Sequence, residues 1–350
     1  MCTARNPLHC IVPPYMVERM TESPNKKVRS LALENIAASA EARAARATLA
    51  LAPMLMASAS PKGTKDRLIY DAKKRWNLPG KLVRAEGDPK TGDPAADEAY
   101  NYSGYTYDFY HKLFGRNSLD DKGMSLRSTV HYRTTYNNAF WNGSQMAYGD
   151  GDGIIFRRFT RSLDVVGHEL THGVVTFTAN LEYHDEPGAL NEHFSDVFGV
   201  SIRQWRKKQT AKQASWLIGE EILVPAPTRR AIRDMANPGK AYENDPDLGS
   251  DPQPAHIDDK YTGTADNGGV HINSGIPNHA FYVTATEIGG HAWEKAGRIW
   301  YNTLVEHLTP TSDFAKCARD TFLEAGNLYG LNSREQKAVK KGWAEVGITV

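Results

Sequence analysis

The sequence predicts an α+β protein in which a β-rich N-terminal domain precedes a mainly helical C-terminal domain, with one buried helix between them. Residues 68–153 are rich in Tyr, Thr and Gly, and part of this region alternates between apolar and polar residues as half-buried strands do. After Gly153 the apolar residues recur at helical spacing. A chain of 350 residues is long enough for two domains and an appendage, so we divide it into residues 1–60, 61–180 and 181–350.

The composition limits the classes of partner. Hydrophobic residues make up 40% of the chain and charged residues 24%, as in globular proteins, and the net charge is +1. This charge balance gives no basis for binding nucleic acid or an anionic membrane. The three cysteines, Cys2, Cys10 and Cys317, are too few for a disulfide framework. We expect a monomer with neither nucleic-acid nor membrane partners.

The N-terminal region is rich in Ala and Arg, unlike the rest of the chain. Residues 30–52 contain many good helix formers and are followed by Pro53, which predicts one helix. The apolar run 47–57 resembles the core of a signal peptide, but it lies behind a polar segment, so we interpret it as the end of this helix. We therefore expect a protein that is secreted without a clear N-terminal signal peptide, with a cytoplasmic location as the alternative.

Residues 61–153 combine one helix with predicted hairpins. Residues 61–67 are polar and basic, which predicts an exposed linker. Asp97–Phe114 has a helical pattern, whereas Thr129–Tyr148 alternates and carries Asn-Gly at 142–143, a strong hairpin signal.

Helical patterns dominate the second half of the chain. Ser162 is a predicted N-cap, and Asp164 lies in the first turn, where a carboxylate favours the helix dipole. A second helix is predicted at 188–207, whereas the Pro-, Gly- and Asp-rich stretch 225–270 predicts little regular structure. Four further helices are predicted, the last with a capping box at Ser333: they span 277–289, 291–308, 312–327 and 333–346.

A zinc-binding pattern lies on the first of these helices. His168 and His172 are four residues apart, so they share one helical face and can bind one Zn²⁺. Glu169 leans over the same position and can take a proton from water there. Glu192, on the next predicted helix, supplies a third ligand; the alternative for Glu192 is a solvated carboxylate. Such a set leaves one zinc position open, which is typical of a hydrolytic rather than a structural site, and one catalytic ion is predicted.

Residues near Glu192 are suited to orient the ligands. A histidine that binds metal usually donates its other ring N–H to a carboxylate or amide. Asp196 lies one turn after Glu192 on the same helical face, and Asn191 is adjacent. We assign Asp196 to His168 and Asn191 to His172.

Several segments, taken together, resemble the thermolysin family of metallopeptidases. The resemblance runs from about Leu68 to the C-terminus, and the motifs occur in the family's order. The segments are His168–His172, Gly188–Asp196, Tyr136–Gly143 (a substrate-binding edge strand), Ile232–Met235 (an arginine segment) and Asp266–Gly275 (a catalytic histidine loop). In the N-terminal region, Ile11–Met16 is similar to the Pro-Pro segment of the protealysin-like branch, whose propeptides are short.

The resemblance implies roles for further residues. Glu169 would be the general base, and Tyr183 and His271 would stabilise the oxyanion, with Asp266 orienting His271. Substrate would bind to Arg233, to Asn138 and the backbone of Ala139 as an added strand, and to an apolar primed-side pocket. That pocket would contain Phe156, Phe159, Val165 and Ile232; the alternative for these four residues is a generic core.

The resemblance also implies that residues 1–60 are an inhibitory propeptide, removed near residues 52–67. The alternative is a permanent helical appendage. Cys10 is a candidate switch, because a thiolate can occupy the open position of zinc. The alternative is a small packed cysteine beside the Pro-Pro segment.

One departure from the family concerns calcium, which many members bind at a double site. Here Asp164 and Glu220 match two of the calcium positions, but three others hold Arg203, Ser215 and Leu217. Calcium needs several acidic oxygen ligands, so we expect no calcium here, and we expect Arg203 to pair with Asp164 or Glu220 in its place. A second family calcium loop, at 226–230, also lacks its acid.

These observations predict a zinc-dependent neutral endopeptidase made as a zymogen, with a preference for a bulky hydrophobic residue on the primed side. Its partners would be a protein or peptide substrate and its own propeptide as an intramolecular inhibitor. One alternative is a catalytically silent peptide-binding protein on the same fold, which would have lost part of the catalytic set. Another is a zinc hydrolase of non-peptide amides, against which Arg233 and the strand segment 136–141 argue.

Overall fold

A six-stranded mixed sheet lies against the helix that carries His168 and His172 in the computed structural model, which describes residues 9–49 and 61–350. The strand order is β1-β5-β6-β4-β2-β3, with β2, β4 and β6 parallel and the other pairings antiparallel. The strands are β1 (His9–Cys10), β2 (Arg67–Asp71), β3 (Lys81–Arg84), β4 (Leu126–Val130), β5 (Ala139–Trp141) and β6 (Met146–Tyr148).

The β5–β6 hairpin agrees with its sequence signal. The Asn142 side chain accepts hydrogen bonds from the N–H groups of Ser144 and Gln145, and Gly143 has the positive φ of 98° that this turn requires. Beyond β5, the edge of the sheet is completed by β1 from the N-terminal region, a strand that the sequence does not predict. The register pairs His9 with Trp141.

Ten α-helices lie in the described ranges. They are α1 (Pro14–Met20), α2 (Lys26–Leu49), α3 (Pro94–Phe114), α4 (Leu163–Thr176), α5 (Asp185–Lys207), α6 (Ala265–Asn273), α7 (Gly275–Ile288), α8 (Lys295–Asn302), α9 (Phe314–Tyr329) and α10 (Arg334–Glu345). The stretch 225–270, predicted to be irregular, contains the short strand β8 (Arg233–Asp234), which pairs with β7 (Leu217–Ile218). The predicted helix 30–52 is part of α2, and residues 50–52 lie outside the described residues.

Local capping decides where several helices begin. Asp93 accepts hydrogen bonds from two N–H groups of the first turn of α3, so this helix starts at Pro94, three residues before the predicted start. Ser333 caps α10 as expected, accepting from Gln336 N at 3.1 Å. Ser162 precedes α4, but its hydroxyl donates to Asp164 and makes no cap to the backbone, a difference from the prediction.

The two central helices, α4 and α5, approach each other closely because glycines face each other across the contact. A Cβ added to Gly199 would lie 2.5 Å from the carbonyl oxygen of Asp164, and one added to Gly167 would lie 3.2 Å from the Cα of Gly199. Side chains at these points would separate the helices. The close approach brings His168 on α4 and Glu192 on α5 into one site.

His131 connects β4 to α3 through two carboxylates. Its Nδ1 lies 2.8 Å from Asp150 Oδ1, and its Nε2 lies 2.8 Å from Asp93 Oδ2. The hydrogen bond to Asp150 raises the pKa of His131 to about 9, against the opposing effect of burial and with a further contribution from Asp93. The charged ring therefore stabilises the start of α3 near neutral pH.

We expect His131→Gln to lower the free energy of unfolding by about 1–2 kcal/mol near neutral pH, a range reduced for the partial exposure of the ring. The folded-state pKa lies above the unfolded value of about 6.5, so the contribution is complete below that pH. It is lost as the pH rises through about 9. Urea unfolding of both proteins at mildly acidic and at strongly alkaline pH measures the difference. A loss of stability that stays the same at both pH values would contradict the ion-pair account, and His184→Gln, at an exposed histidine, is the control.

Candidate metal centre and surrounding cleft

Three fully buried side chains converge where α4 and α5 meet. The Nε2 atoms of His168 and His172 are 3.0 Å apart, and the Glu192 carboxylate lies 3.5 and 3.3 Å from them. All the ligand atoms lie within 4.8 Å of one another. Glu192 Oε2 is buried and has no hydrogen-bond partner in the described part of the chain, as expected for an oxygen that faces a cation. Two imidazoles and one carboxylate are a donor set that fits zinc.

The other ring nitrogens of the two histidines contact the residues that we assigned to them. His168 Nδ1 lies 2.8 Å from Asp196 Oδ1, and His172 Nδ1 lies 2.8 Å from Asn191 Oδ1. Burial lowers the pKa of His168 to about 4, which keeps this imidazole neutral. Each ring therefore directs Nε2 to the shared site. Ser195 Oγ lies 3.0 Å from His172 Nδ1, a contact that the sequence does not reveal.

Asp196 also connects the metal group to Arg233. The guanidinium donates two hydrogen bonds of 2.8 Å to Asp196, and Asn278 Nδ2 donates a third at 2.9 Å. Burial alone would raise the pKa of Asp196, but Arg233 and His168 hold it well below its usual range. Asn278 was missed by sequence reasoning, because its position in α7 gives no local signal for a partner on α5.

Glu169 is fully buried beside the metal group, and its Oε2 accepts a hydrogen bond of 3.0 Å from Trp141 N. Burial, reinforced by the charge of Glu192, raises the pKa of Glu169 well above its ordinary value. A carboxyl group with a raised pKa both accepts and returns a proton readily, which is the property of a general base that later acts as an acid.

Two further side chains face the metal group from the opposite wall. Tyr183 donates to Glu192, and its hydroxyl lies 3.2 Å from His271 Nε2. His271 Nδ1 lies 2.6 Å from Asp266 Oδ1. Burial would lower the pKa of His271, but Asp266 and Glu192 raise it to about 9. Asp266 adopts a left-handed conformation at φ 54°, so it both orients the histidine and forms the turn.

The N-terminal segment fills the cleft between these walls. Asn138 accepts from Val12 N at 3.0 Å and donates to Val12 O at 3.1 Å. Arg233 Nη1 donates to Ile11 O at 3.0 Å. The ring of His9 lies 4.5 Å from the ring of His172, between centroids. The segment is therefore bound as an added strand beside β5.

The structure gives no support to a metal contact by Cys10. The group of ligand atoms within 4.8 Å of one another does not contain its thiol. Since cross-strand partners share a face, Cys10 lies on the face of Phe140 and packs in a cluster with Tyr132 and Tyr136, whereas His9 on the other face contacts His172. The backbone carbonyl of Cys10 does reach the site, 3.0 Å from His271 Nε2.

The four apolar residues assigned to a pocket lie in the main hydrophobic core. Each is fully buried, and Ile11 of the N-terminal segment is buried in the same core. They are Phe156, Phe159, Val165 and Ile232.

Arg203 stands at a sequence position that corresponds to a calcium ligand in many family members. Its guanidinium donates to Asp164 at 2.7 Å and to the carbonyl oxygens of Ser215 and Leu217 at 3.0 and 2.8 Å. The predicted pairing of Arg203 with Asp164 is therefore present. Its guanidinium contacts three of the positions that correspond to calcium ligands in the family. Arg229, in the second loop, pairs with acidic residues of its own surroundings.

Comparison with known proteins identifies the chain's relatives. The model described as "Thermolysin metallopeptidase, catalytic domain" matches residues 57–176, and the model described as "Thermolysin metallopeptidase, alpha-helical domain" matches residues 179–348. An extracellular metalloprotease of Pectobacterium carotovorum subsp. carotovorum is 47% identical over 354 residues, which covers 98% of this chain and 97% of that protein. Protease PrtS of Photorhabdus sp. (strain Az29) is 53% identical over 290 residues, which covers 82% of this chain and 77% of that protein. The solved precursor of protealysin, a metalloproteinase from Serratia proteamaculans, has a TM-score of 0.88 and 46% identity, covering 97% of this chain and 100% of that one.

Proposed function

The chain belongs to the thermolysin family of metallopeptidases and is a zinc metalloendopeptidase, and we propose that it cuts on the amino side of bulky hydrophobic residues while residues 1–60 keep it inactive until they are removed. The binding of the N-terminal segment as an added strand across the metal group carries this proposal, because it occupies the cleft through backbone contacts that an extended peptide would make.

The proposed ligands are His168, His172 and Glu192. Zinc bound there supplies a Lewis acid that polarises a carbonyl group and lowers the pKa of water toward about 7. Asp196 and Asn191 hold the two imidazoles with Nε2 aimed at the site, so the ligands are arranged before substrate enters.

The proton transfers are assigned to Glu169. Its carboxylate accepts a proton from water and returns it to the leaving nitrogen, and the Trp141 N–H fixes its position throughout. Tyr183 and His271 donate hydrogen bonds to the carbonyl oxygen as negative charge develops there. Asp266 accepts from Nδ1 of His271, so that Nε2 carries its proton toward the cleft.

Substrate orientation is assigned to Arg233 and Asn138, with the backbone of Ala139 pairing as a strand. Arg233 is rigid because Asp196 holds two of its nitrogens, leaving Nη1 for a substrate carbonyl, as it now serves Ile11. Ile11 is fully buried, which supports an apolar primed-side pocket. We assign this pocket to the four core residues Phe156, Phe159, Val165 and Ile232.

We propose that residues 61–180 and 181–350 are the two catalytic domains, and that residues 1–60 are removed near residues 52–67. Part of that range, 52–60, lies outside the described residues. Secretion and a monomeric state are also proposed, and the relative in Pectobacterium carotovorum is named as extracellular. No helix in the described ranges combines the length and the apolar character that a bilayer crossing needs.

A peptide series tests the preference. After removal of the N-terminal region, the protein should hydrolyse peptides with Leu or Phe after the cut about 10- to 200-fold faster, in kcat/KM, than the same peptides with Gly there. A zinc chelator should abolish hydrolysis and added zinc should restore it. Equal rates across the series would contradict the apolar pocket, while leaving the peptidase assignment intact.

A further inference from the structure

One peptide bond of the chain lies at the point where the groups of the cleft converge. The carbonyl oxygen of Cys10 is 3.0 Å from His271 Nε2. That nitrogen is 3.2 Å from the Tyr183 hydroxyl and 3.6 Å from Glu192 Oε1. Hydrogen-bond donors stabilise an oxyanion from about 3 Å, so the Cys10 carbonyl occupies the place of a reacting carbonyl.

The nitrogen of the same bond lies on the opposite side, against a carboxylate. The Ile11 N–H donates to the carbonyl oxygen of Ala139 at 3.4 Å, and it faces the Glu169 carboxylate, whose Oε1 is buried without a hydrogen-bond partner among the described residues. Trp141 N fixes the Glu169 carboxylate from behind at 3.0 Å. A proton carried by Glu169 is therefore within reach of the Ile11 nitrogen.

The residues that follow this bond are held in sequence along the cleft. Arg233 binds the Ile11 carbonyl, and Asn138 binds both backbone groups of Val12. The side chain of Ile11 is fully buried. Contacts on both sides thus fix the register of the segment, and a shift by one residue would break each of them.

We propose that Cys10–Ile11 is a self-cleavage site, hydrolysed by the chain's own metal centre. This inference rests on the proposed function. The oxygen of water bonds to the carbonyl carbon of Cys10, the bond from that carbon to the Ile11 nitrogen breaks, and one proton of the water passes through Glu169 to that nitrogen. The second proton of the water ends on the same nitrogen, so the products are a Cys10 carboxylate on residues 1–10 and an ammonium group on Ile11, and no other reactant is needed.

The cut divides the anchors of the N-terminal region. His9 and Cys10, which pair with β5, leave with the released decapeptide, whereas Ile11, α1 and α2 stay attached to the rest of the chain. After the cut, the remaining segment is no longer joined to the two residues that pair with β5. We therefore expect this cut to precede and to promote the proposed removal of residues 1–60.

Isotope labelling of the full-length zinc-loaded protein tests the proposal. In water enriched in ¹⁸O, mass spectrometry should detect residues 1–10 with one ¹⁸O in the Cys10 carboxylate and a new N-terminus at Ile11. The rate should not depend on protein concentration, since the cut is intramolecular. Glu169→Gln should keep the bond intact with unchanged zinc content.

Substitutions of Ile11 distinguish a cut that depends on the bound register of the segment from nonspecific proteolysis. Ile11→Asp, which places a charge in an apolar site, should slow this cut at least tenfold, and the milder Ile11→Gly should slow it about tenfold if the Asp variant does not fold. Leu33→Asp introduces the same charge at a residue of the N-terminal region that is 61% exposed, and it should leave the rate of this cut unchanged.

A second readout does not depend on turnover. In uncleaved Glu169→Gln protein with ¹³C at cysteine carbonyls, added zinc should shift the NMR resonance of Cys10 and not that of Cys317 or Cys2.

An intact Cys10–Ile11 bond in samples that hydrolyse casein would overturn the proposal and leave the proposed function standing. Absence of casein hydrolysis after removal of the N-terminal region would instead overturn the proposed function. A cut that proceeds equally in Glu169→Gln would also overturn self-cleavage.

Discussion

Replacing Glu169 with Gln should lower kcat for casein by about 10³-fold while the protein keeps one zinc per chain. Glutamine has nearly the same shape and retains an oxygen to accept from Trp141 N, so the wall of the cleft should stay in place. It cannot hold or return a proton. Zinc content should persist because Glu169 is not part of the group formed by His168, His172 and Glu192. Hydrolysis rates and metal analysis on the same preparations measure both effects.

The matched control is Glu221→Gln, a similar change at a surface carboxylate that pairs with Lys207. This variant should keep the wild-type rate, because an exposed ion pair contributes little. Wild-type activity in Glu169→Gln would contradict the assignment of the base. Loss of zinc from Glu169→Gln would show instead that Glu169 helps to hold the metal.

The metal group could be predicted from the sequence because its geometry is local. His168 and His172 face one direction on any regular helix, and Glu192 and Asp196 do so on the next one. The sequence does not show how near the two helices lie. Only the packed structure shows that their glycines are the contact points. The remaining site residues were assigned from the resemblance to family motifs, whereas helical spacing alone predicted the pairing of Asp196 with His168.

Contacts between distant segments were beyond the sequence. Strand β1 has two residues, too few to show an alternating pattern, and only its register against β5 decides that Cys10 packs with Phe140 while His9 faces the metal group. Without that register, the sequence could not decide between a Cys10 thiol at the metal and a small packed cysteine. Asn278 likewise reaches Asp196 from another helix.

Replacing Arg203 with Met should lower the free energy of unfolding by about 3–5 kcal/mol, because it leaves Asp164 without its cation in the interior. Both side chains are almost fully buried, and their ion pair of 2.7 Å joins α5 to the first turn of the zinc helix α4. The carbonyl oxygens of Ser215 and Leu217 would also lose their donor. Urea unfolding of both proteins at constant pH measures the change.

Arg206→Met is the matched control, since it removes an exposed cation from the same helix and should cost less than about 1 kcal/mol. The double variant Asp164→Asn with Arg203→Met should recover part of the lost stability, because the unpaired charge is gone. The Tm of the wild-type protein should be insensitive to EGTA if Arg203 takes the place of an ion. A large fall in Tm with EGTA, reversed by calcium alone, would instead show that calcium braces the zinc helix despite the arginine.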